Sequence, residues 1–574
     1  MNIQNFVRFT IVFFILLPVS AWAKLRIEGV DGDLKDDLEK RLNSIDIKCS
    51  AEEWRMVRQR DSFTDKAQIS LKAFGYYAAE VDTQLAREDD CWTLTLKIER
   101  GERITLRKIH VEADHDKESL PDELSKLIKR PPFREGDALY QPDYDRYKSS
   151  LMDAAGRLGF FRAEYRRAEL AIFPETRHAD VDLELILGPR FTFGPYRISS
   201  TPLNDDLLDR LTLDLEGEPY SSERLTEAYK DFQRSNYFAQ VLISPVIDTE
   251  DDSLVVPLDV DLGMASRHSA GAGIGFSTDL GPRVTAEYEN RFVNSEGHKF
   301  RSEAQWSVKN RSISGTYIIP RERAAREWYE LGGGYTEEET DTYDTVTRTG
   351  LARIVSVYKR WVFNTGVNIQ NERYIIADDP IEQSNLVIPS VGANWVYADD
   401  RVRQRYGLSF ETKLSFSNEM WLSDTDFMQA YARTKGLWSL TERARFLSRV
   451  ELAGTIIDDL ELLPPSVRFF TGGDNSVRGY AYNSIGSTNE EGEVIGGSKL
   501  FSSSVELDYL LYKSWSASVF FDQGDAFDED PEFMRAWGFG VRWYSPVGPV
   551  RVDFAFPEEG KDSIRLHLSV GAEI

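Results

Sequence analysis

From about residue 264 onward the chain alternates apolar and polar residues one for one, in segment after segment, and few folds tolerate that pattern. A period of two places successive side chains on opposite faces of a strand. Leu408, Phe410, Leu414 and Phe416 share one face, while Ser409, Glu411, Lys413 and Ser415 share the other. In the final segment Ile564, Leu566, Leu568, Val570, Ala572 and Ile574 oppose Arg565, His567, Ser569 and Glu573. About 16 segments of this kind can be marked, with an error of about two. They begin near Arg267, Arg283, His298, Ser312, Arg326, Tyr343, Trp361, Asn385, Arg403, Asp426, Arg443, Lys499, Ser514, Arg535, Gly548 and Ser563.

Two architectures bury one face of such strands. A soluble sandwich turns its polar face outward; a membrane barrel gives its apolar face to lipid and its polar face to the lumen. The strands are too many and too long for one small sandwich. Nine of the twelve tryptophans lie in this half, as interfacial girdles require. The chain also ends on a strand, which permits closure onto the first. A mean hydropathy of −0.41 is compatible with membrane residence if half of each strand meets water. Residues 264–574 are therefore read as a transmembrane β-barrel of about 16 antiparallel strands.

Residues 1–23 read as a signal peptide: Arg8, an apolar run from Phe9 to Val19, and the small-residue site Ala21-Trp22-Ala23 before Lys24. The run is about half the length a spanning helix needs, and no other segment approaches that length. Cys49 and Cys91 would then meet an oxidising compartment, where a disulfide is favoured. Spacing alone does not exclude two separate buried thiols. The formal net charge of −26 has the wrong sign for nucleic-acid binding.

Residues 24–263 repeat weakly. Phe74-Gly75-Tyr76-Tyr77-Ala78-Ala79-Glu80-Val81 is echoed by Leu158-Gly159-Phe160-Phe161-Arg162-Ala163-Glu164-Tyr165 and, degraded, by Ser235-Asn236-Tyr237-Phe238-Ala239-Gln240-Val241. Each copy follows an amphipathic helical stretch and precedes an alternating strand such as Trp92–Ile98 or Ala179–Leu185. The Gly or Asn ends the helix in a left-handed conformation. Gly101-Glu102-Arg103-Ile104-Thr105 and Gly188-Pro189-Arg190-Phe191-Thr192 mark the boundaries. The copies, 24–100, 101–188 and 189–263, read as strand, two helices, two strands. They resemble POTRA domains, periplasmic polypeptide-transport-associated modules.

A long segment, about Leu463 to Ser498, interrupts the barrel strands. It carries Gly472-Gly473-Asp474-Asn475-Ser476-Val477-Arg478-Gly479-Tyr480. Phe520-Phe521-Asp522-Gln523-Gly524 follows, and then Gly538-Phe539-Gly540-Val541-Arg542-Trp543-Tyr544-Ser545-Pro546-Val547-Gly548-Pro549. Singly these are loop, turn and strand punctuation. In this order, behind POTRA-like repeats, they resemble the BamA/TamA superfamily of outer-membrane assembly barrels across essentially the whole mature chain. Three repeats rather than five resemble its TamA branch.

The resemblance implies that the long loop folds into the lumen and sets its motif, Val477, Arg478, Gly479 and Tyr480, against inward-facing groups. Alternation turns Phe520, Asp522 and Glu506 inward, because Trp515, Val519 and Phe521, and Val505, Leu507 and Tyr509, occupy the apolar faces. Arg478 is expected to pair with Asp522, stack near Phe520 and reach Glu506, which a planar guanidinium can do at once. The strand motif is Gly538, Gly540, Arg542, Pro546 and Gly548. The closure seam is expected at Gly271, Gly273 and Gly275 of the first strand and Gly571 of the last, since glycines weaken a strand. A weak seam could open and offer its edge to a client strand.

The resemblance also implies insertase or translocation work in the bacterial outer membrane, on unfolded client outer-membrane proteins such as autotransporters. It implies an inner-membrane-anchored partner of the TamB type. A two-partner secretion pore exporting one cognate protein is the alternative. No catalytic role is expected: metalloprotease, hydrolase and phosphate-loop motifs are missing from the sequence, and Gly271-Ala272-Gly273-Ile274-Gly275 opens no helix. No cofactor is implied, and six scattered histidines with two cysteines do not suggest a metal cage. The chain ends Gly571-Ala572-Glu573-Ile574, whereas many outer-membrane barrels end on an aromatic residue.

Overall fold

The computed structural model describes residues 24–43, 49, 51–88, 91–114, 120–377, 380–399, 404–545, 548–559 and 564–570. The expected leader (1–23), Pro546 and Gly571 lie outside these residues.

Three modules follow one plan. The first runs strand Lys24–Glu28, helices Gly32–Asn43 and Glu53–Ala73, then strands Glu80–Glu88 and Cys91–Glu99, the last strand lying central. The second (Thr105–Ile186) and third (Thr192–Met264) repeat it. Spacing of three and four along the helices buries Leu38, Leu42, Met56, Phe63 and Leu71 against Leu94, Leu96 and Ile98 in the first module. The long helices end at Gly75 and Gly159, at φ 86° and 89°, and at Asn236, at φ 59°. A disulfide joins Cys49 to Cys91.

The boundary arginines share a role. Arg103 donates to the carbonyls of Phe74 (2.7 Å) and Leu139 (3.2 Å) and lies over the Tyr76 ring. Arg190 donates to Leu158 (2.7 Å) and Tyr220 (3.2 Å) and lies over Phe160. Each guanidinium thus joins the end of one module's long helix to the next module's chain. Burial pulls Arg190 below the usual arginine range.

Sixteen antiparallel strands, from His268–Ser277 to Arg565–Val570, pair in sequence order as one meander. Each strand begins within three residues of its expected start. Several are longer than the ten or so residues expected; Glu382–Ala398 has 17. The excess extends beyond what a bilayer requires and packs on the long loop, where Leu386 and Ile388 meet Leu460, Leu463 and Val467.

The usual order of polarity is inverted. Ile274 is 92% exposed and Trp537 57%, whereas Glu372 and Asp522 are fully buried. Such a surface needs an apolar solvent. Rings stack across strands as Trp515–Trp543 and Trp438–Phe446 at the barrel end that carries the turn at Ala324 and Ala325, and as Trp537–Phe556 at the other.

The inner half of the third module packs directly on the barrel's turns. Leu207, Leu211, Phe232 and Tyr237 share a core with Ala324 and Ala325 of the turn after the fourth strand. Buried Asp231 pairs with Arg326 at 2.8 Å, and the Tyr237 hydroxyl donates to the Gly297 carbonyl at 2.6 Å.

Candidate functional site

The loop between strands Ala444–Ile456 and Lys499–Tyr512 lies inside the barrel, held by four sets of contacts. At its base, Ser466 donates its N–H (3.3 Å) and its hydroxyl to Glu372, which also accepts from Thr345 (2.7 Å) and Gln370 (2.8 Å). On the same wall, the Tyr482 hydroxyl donates to Glu338 (3.1 Å) and Asn483 donates to the Tyr343 hydroxyl (2.9 Å).

The third set centres on Arg478. Its Nε and Nη2 clasp the two oxygens of Asp522 at 2.7 and 3.0 Å. Nη1 donates to Glu506 at 2.9 Å and to Asp553 at 3.0 Å, and its backbone N–H donates to Asp522 at 3.1 Å. The guanidinium carbon lies 3.4 Å from the centroid of the Phe520 ring. Arg542 donates to Glu506 (2.8 Å) and Asp553 (3.1 Å). Two guanidinium groups therefore share the buried carboxylates of Asp522 and Asp553 and the largely buried one of Glu506, and each carries at least two donors, the condition under which buried charge is tolerated.

Alternation explains the convergence. Register sets Ser504 opposite Asp522, Glu506 opposite Phe520, Phe520 opposite Gly538, and Gly540 opposite Asp553. The strand glycines provide room. A Cβ on Gly538 would stand 2.3 Å from the Phe520 ring, and one on Gly540 1.8 Å from Asp553 Oδ1. Gly479, at φ 102°, turns the loop where a Cβ would press on Ala536 and Pro557. Val477 is fully buried with Ile485 and Ala536, and the Tyr480 hydroxyl donates to the Arg535 carbonyl at 3.2 Å. Gly548 begins the strand that carries Asp553.

Gly540→Ala is expected to destabilise the barrel by about 1–3 kcal/mol through overpacking. Thermal unfolding followed by electrophoretic mobility checks this. Gly350→Ala, where a Cβ would meet nothing within 4 Å, serves as the control.

The fourth set crosses the seam. The Asp474 N–H donates to Asp279 Oδ2 (2.7 Å) in the first hairpin's turn, and Asp474 Oδ1 accepts from the Thr278 hydroxyl (2.7 Å) and from His567 Nδ1 (2.5 Å) of the last strand. Asp279, Asp474 and His567 gather within a metal ion's reach. However, Gly479 N–H donates to His567 Nε2 at 2.8 Å, so the ring proton sits on Nδ1 and goes to Asp474. Both ring nitrogens are engaged in hydrogen bonds. Burial, with Asp474 beside it, raises the Asp279 carboxyl to about 6.

Among the described residues the first and last strands form no ladder. Thr278 N–H donates to the Leu568 carbonyl (3.3 Å), and Leu568 N–H donates to the Thr278 hydroxyl (3.2 Å). Gly271, Gly273 and Gly275 share the face of the first strand opposite the exposed Ile274.

Sequence reasoning missed Asp553, Ser504, Glu372 and the Asp279–Asp474–His567 bridge. Asp553 was accessible to it, being a charged residue on the face of its strand opposite Val552 and Phe554.

A charged interior, an apolar exterior and chained α/β modules together define an outer-membrane β-barrel with periplasmic modules. A family model described as "Omp85 superfamily domain" matches residues 265–574, and one described as "POTRA domain TamA domain 1" matches residues 24–100. The chain belongs to the Omp85 superfamily. It is 21% identical over 550 residues to the outer membrane protein assembly factor BamA of Nitratidesulfovibrio vulgaris, covering 89% of this chain and 68% of that one. It is 32% identical over 115 residues to the chloroplastic outer envelope protein 80 of Arabidopsis thaliana, covering 19% of this chain and 15% of that one. Its fold is similar to that of BamA from Haemophilus ducreyi lacking POTRA domains 1–3, with a TM-score of 0.64, 17% identity, and coverage of 82% of this chain and 99% of that one.

Proposed function

We propose that this protein is a TamA-type insertase, which assists the insertion or secretion of client outer-membrane proteins such as autotransporters. It works with an inner-membrane-anchored partner of the TamB type and performs no covalent chemistry. The observation that carries this reading is the seam: two barrel edges joined by the Thr278–Leu568 hydrogen bonds and spanned by a loop anchored on both sides. An edge with free N–H and C=O groups can template an incoming strand, and each added strand exchanges one set of backbone bonds for another. The match of residues 24–100 to a TamA-type POTRA model and the three-module plan support the TamA-type assignment. In this reading Arg478 and its carboxylates hold the loop so that the seam is shut at rest.

The test is affinity capture of the full chain and of a form lacking residues 24–263, with identification of bound proteins. The full chain is expected to capture unfolded autotransporter barrels and a large inner-membrane-anchored protein, and the shortened form to lose the latter. Capture of a single secreted protein encoded beside this one would favour a two-partner secretion pore instead.

A further inference from the structure

The barrel lumen holds a second concentration of charge beside the loop. A cavity of about 320 Å³ is lined by Arg283, Lys435, Arg449, Arg478 and Arg551. Its wall also carries three acids, all engaged elsewhere. Glu506 is held by Arg478 and Arg542; Asp474 accepts from His567 and Thr278; Asp279 accepts from the Asp474 N–H.

Register sets Lys435 directly opposite Arg449 on adjacent strands, an arrangement that costs free energy when two like charges face one lumen. Register sets Arg433 between Glu411 and Glu451 on its two neighbouring strands, and Glu451 accepts the Tyr431 hydroxyl at 2.6 Å. Arg449 donates through Nη2 to the Ser476 carbonyl, yet its Nε–H and that of Arg433 are buried without an acceptor among the described residues. Buried donors on charged groups are costly to leave unmet. Composition does not account for this gathering, because the chain has 95 acidic residues against 69 basic ones.

We propose that this cavity is an oxyanion site, taking one phosphate or carboxylate group between Lys435, Arg449 and Arg283. It adjoins the carboxylate cluster that holds Arg478, with Glu506 in the wall between them, and it does not depend on which clients the barrel serves. The anion supplies the acceptor that the Arg449 Nε–H lacks and relieves the Lys435–Arg449 repulsion. Guanidinium and ammonium groups together suit an oxyanion, the first as a planar fork and the second as a point charge.

The test is isothermal titration of the folded full chain in nonionic detergent, with phosphate and, separately, with glutarate, in chloride buffer at constant ionic strength. Saturable binding of one equivalent is expected for at least one anion. Phosphate alone would assign a phosphoryl ligand, and glutarate a carboxylate of a peptide or metabolite. Lys435→Gln/Arg449→Gln should weaken binding by about tenfold or more, the loss of a charge-assisted hydrogen bond. Lys435→Arg should retain it. If the double variant fails to show the mobility of a folded barrel, Lys435→Gln alone, which leaves the Arg449–Ser476 contact in place, serves. No saturable binding by the wild type, or equal binding by the Gln variants, would overturn the proposal.

Discussion

Arg478→Glu is expected to release the luminal loop and abolish client assembly while the barrel still inserts. The wild-type guanidinium is buried among Asp522, Glu506 and Asp553, and it makes ion pairs of 2.7, 2.9 and 3.0 Å with them. Removing one partner from a buried ionic network costs about 3–5 kcal/mol, because the remaining charges are left uncompensated. Reversing the charge adds a fourth carboxylate to the cluster and removes the ring contact with Phe520. The loop then relaxes toward solvent. Limited proteolysis of whole cells should show new cleavage within residues 463–498, and assembly of a reporter autotransporter should fall by at least about a hundredfold, the equivalent of the lower part of that energy range. Arg478→Lys should be intermediate, since it keeps the charge and loses the fork. Normal assembly with an unchanged cleavage pattern in Arg478→Glu would sink this account of the loop.

The second large effect concerns the seam. In Thr278→Cys/Leu568→Cys, oxidation should join the first hairpin to the last strand and stop client assembly, and reduction should restore it. Because Cys49 and Cys91 form a native disulfide, the reduced wild type is the necessary control. The reasoning is geometric. A client strand can add only to an edge whose backbone groups it can reach, and a covalent link across the described junction keeps the edges together. A crosslinked barrel that assembles clients at the wild-type rate would refute lateral opening and leave the loop as a plug without a gating role.

Much of this architecture was legible because one physical rule dominates it. Lipid admits only apolar side chains, so strand after strand declares its two faces, and the sixteen strands could be placed within a few residues. The modules were legible through Gly75, Gly159 and Asn236, since few residues end a helix in a left-handed turn. The luminal site was partly legible: alternation turned Asp522, Phe520 and Glu506 inward, and their meeting with Arg478 was suggested by family resemblance. Alternation also turns Asp553 inward, but its meeting with Arg478 and the Asp474–His567–Asp279 bridge were not legible, because which inward residues meet across a barrel depends on loop path and strand stagger. Neither leaves a local pattern. Glu372 and Ser466, 94 positions apart, make the same point.

The inner half of the third module shares its core with Ala324 and Ala325 and is pinned to the barrel through Asp231–Arg326. A swivel at that joint would have to break a buried ion pair and expose Leu207 and Phe232, so the segment behaves as a rigid lever. Torque delivered to it from the periplasm passes into the turn between the fourth and fifth strands without slack. Force applied to this inner half thereby has a stiff path into the wall.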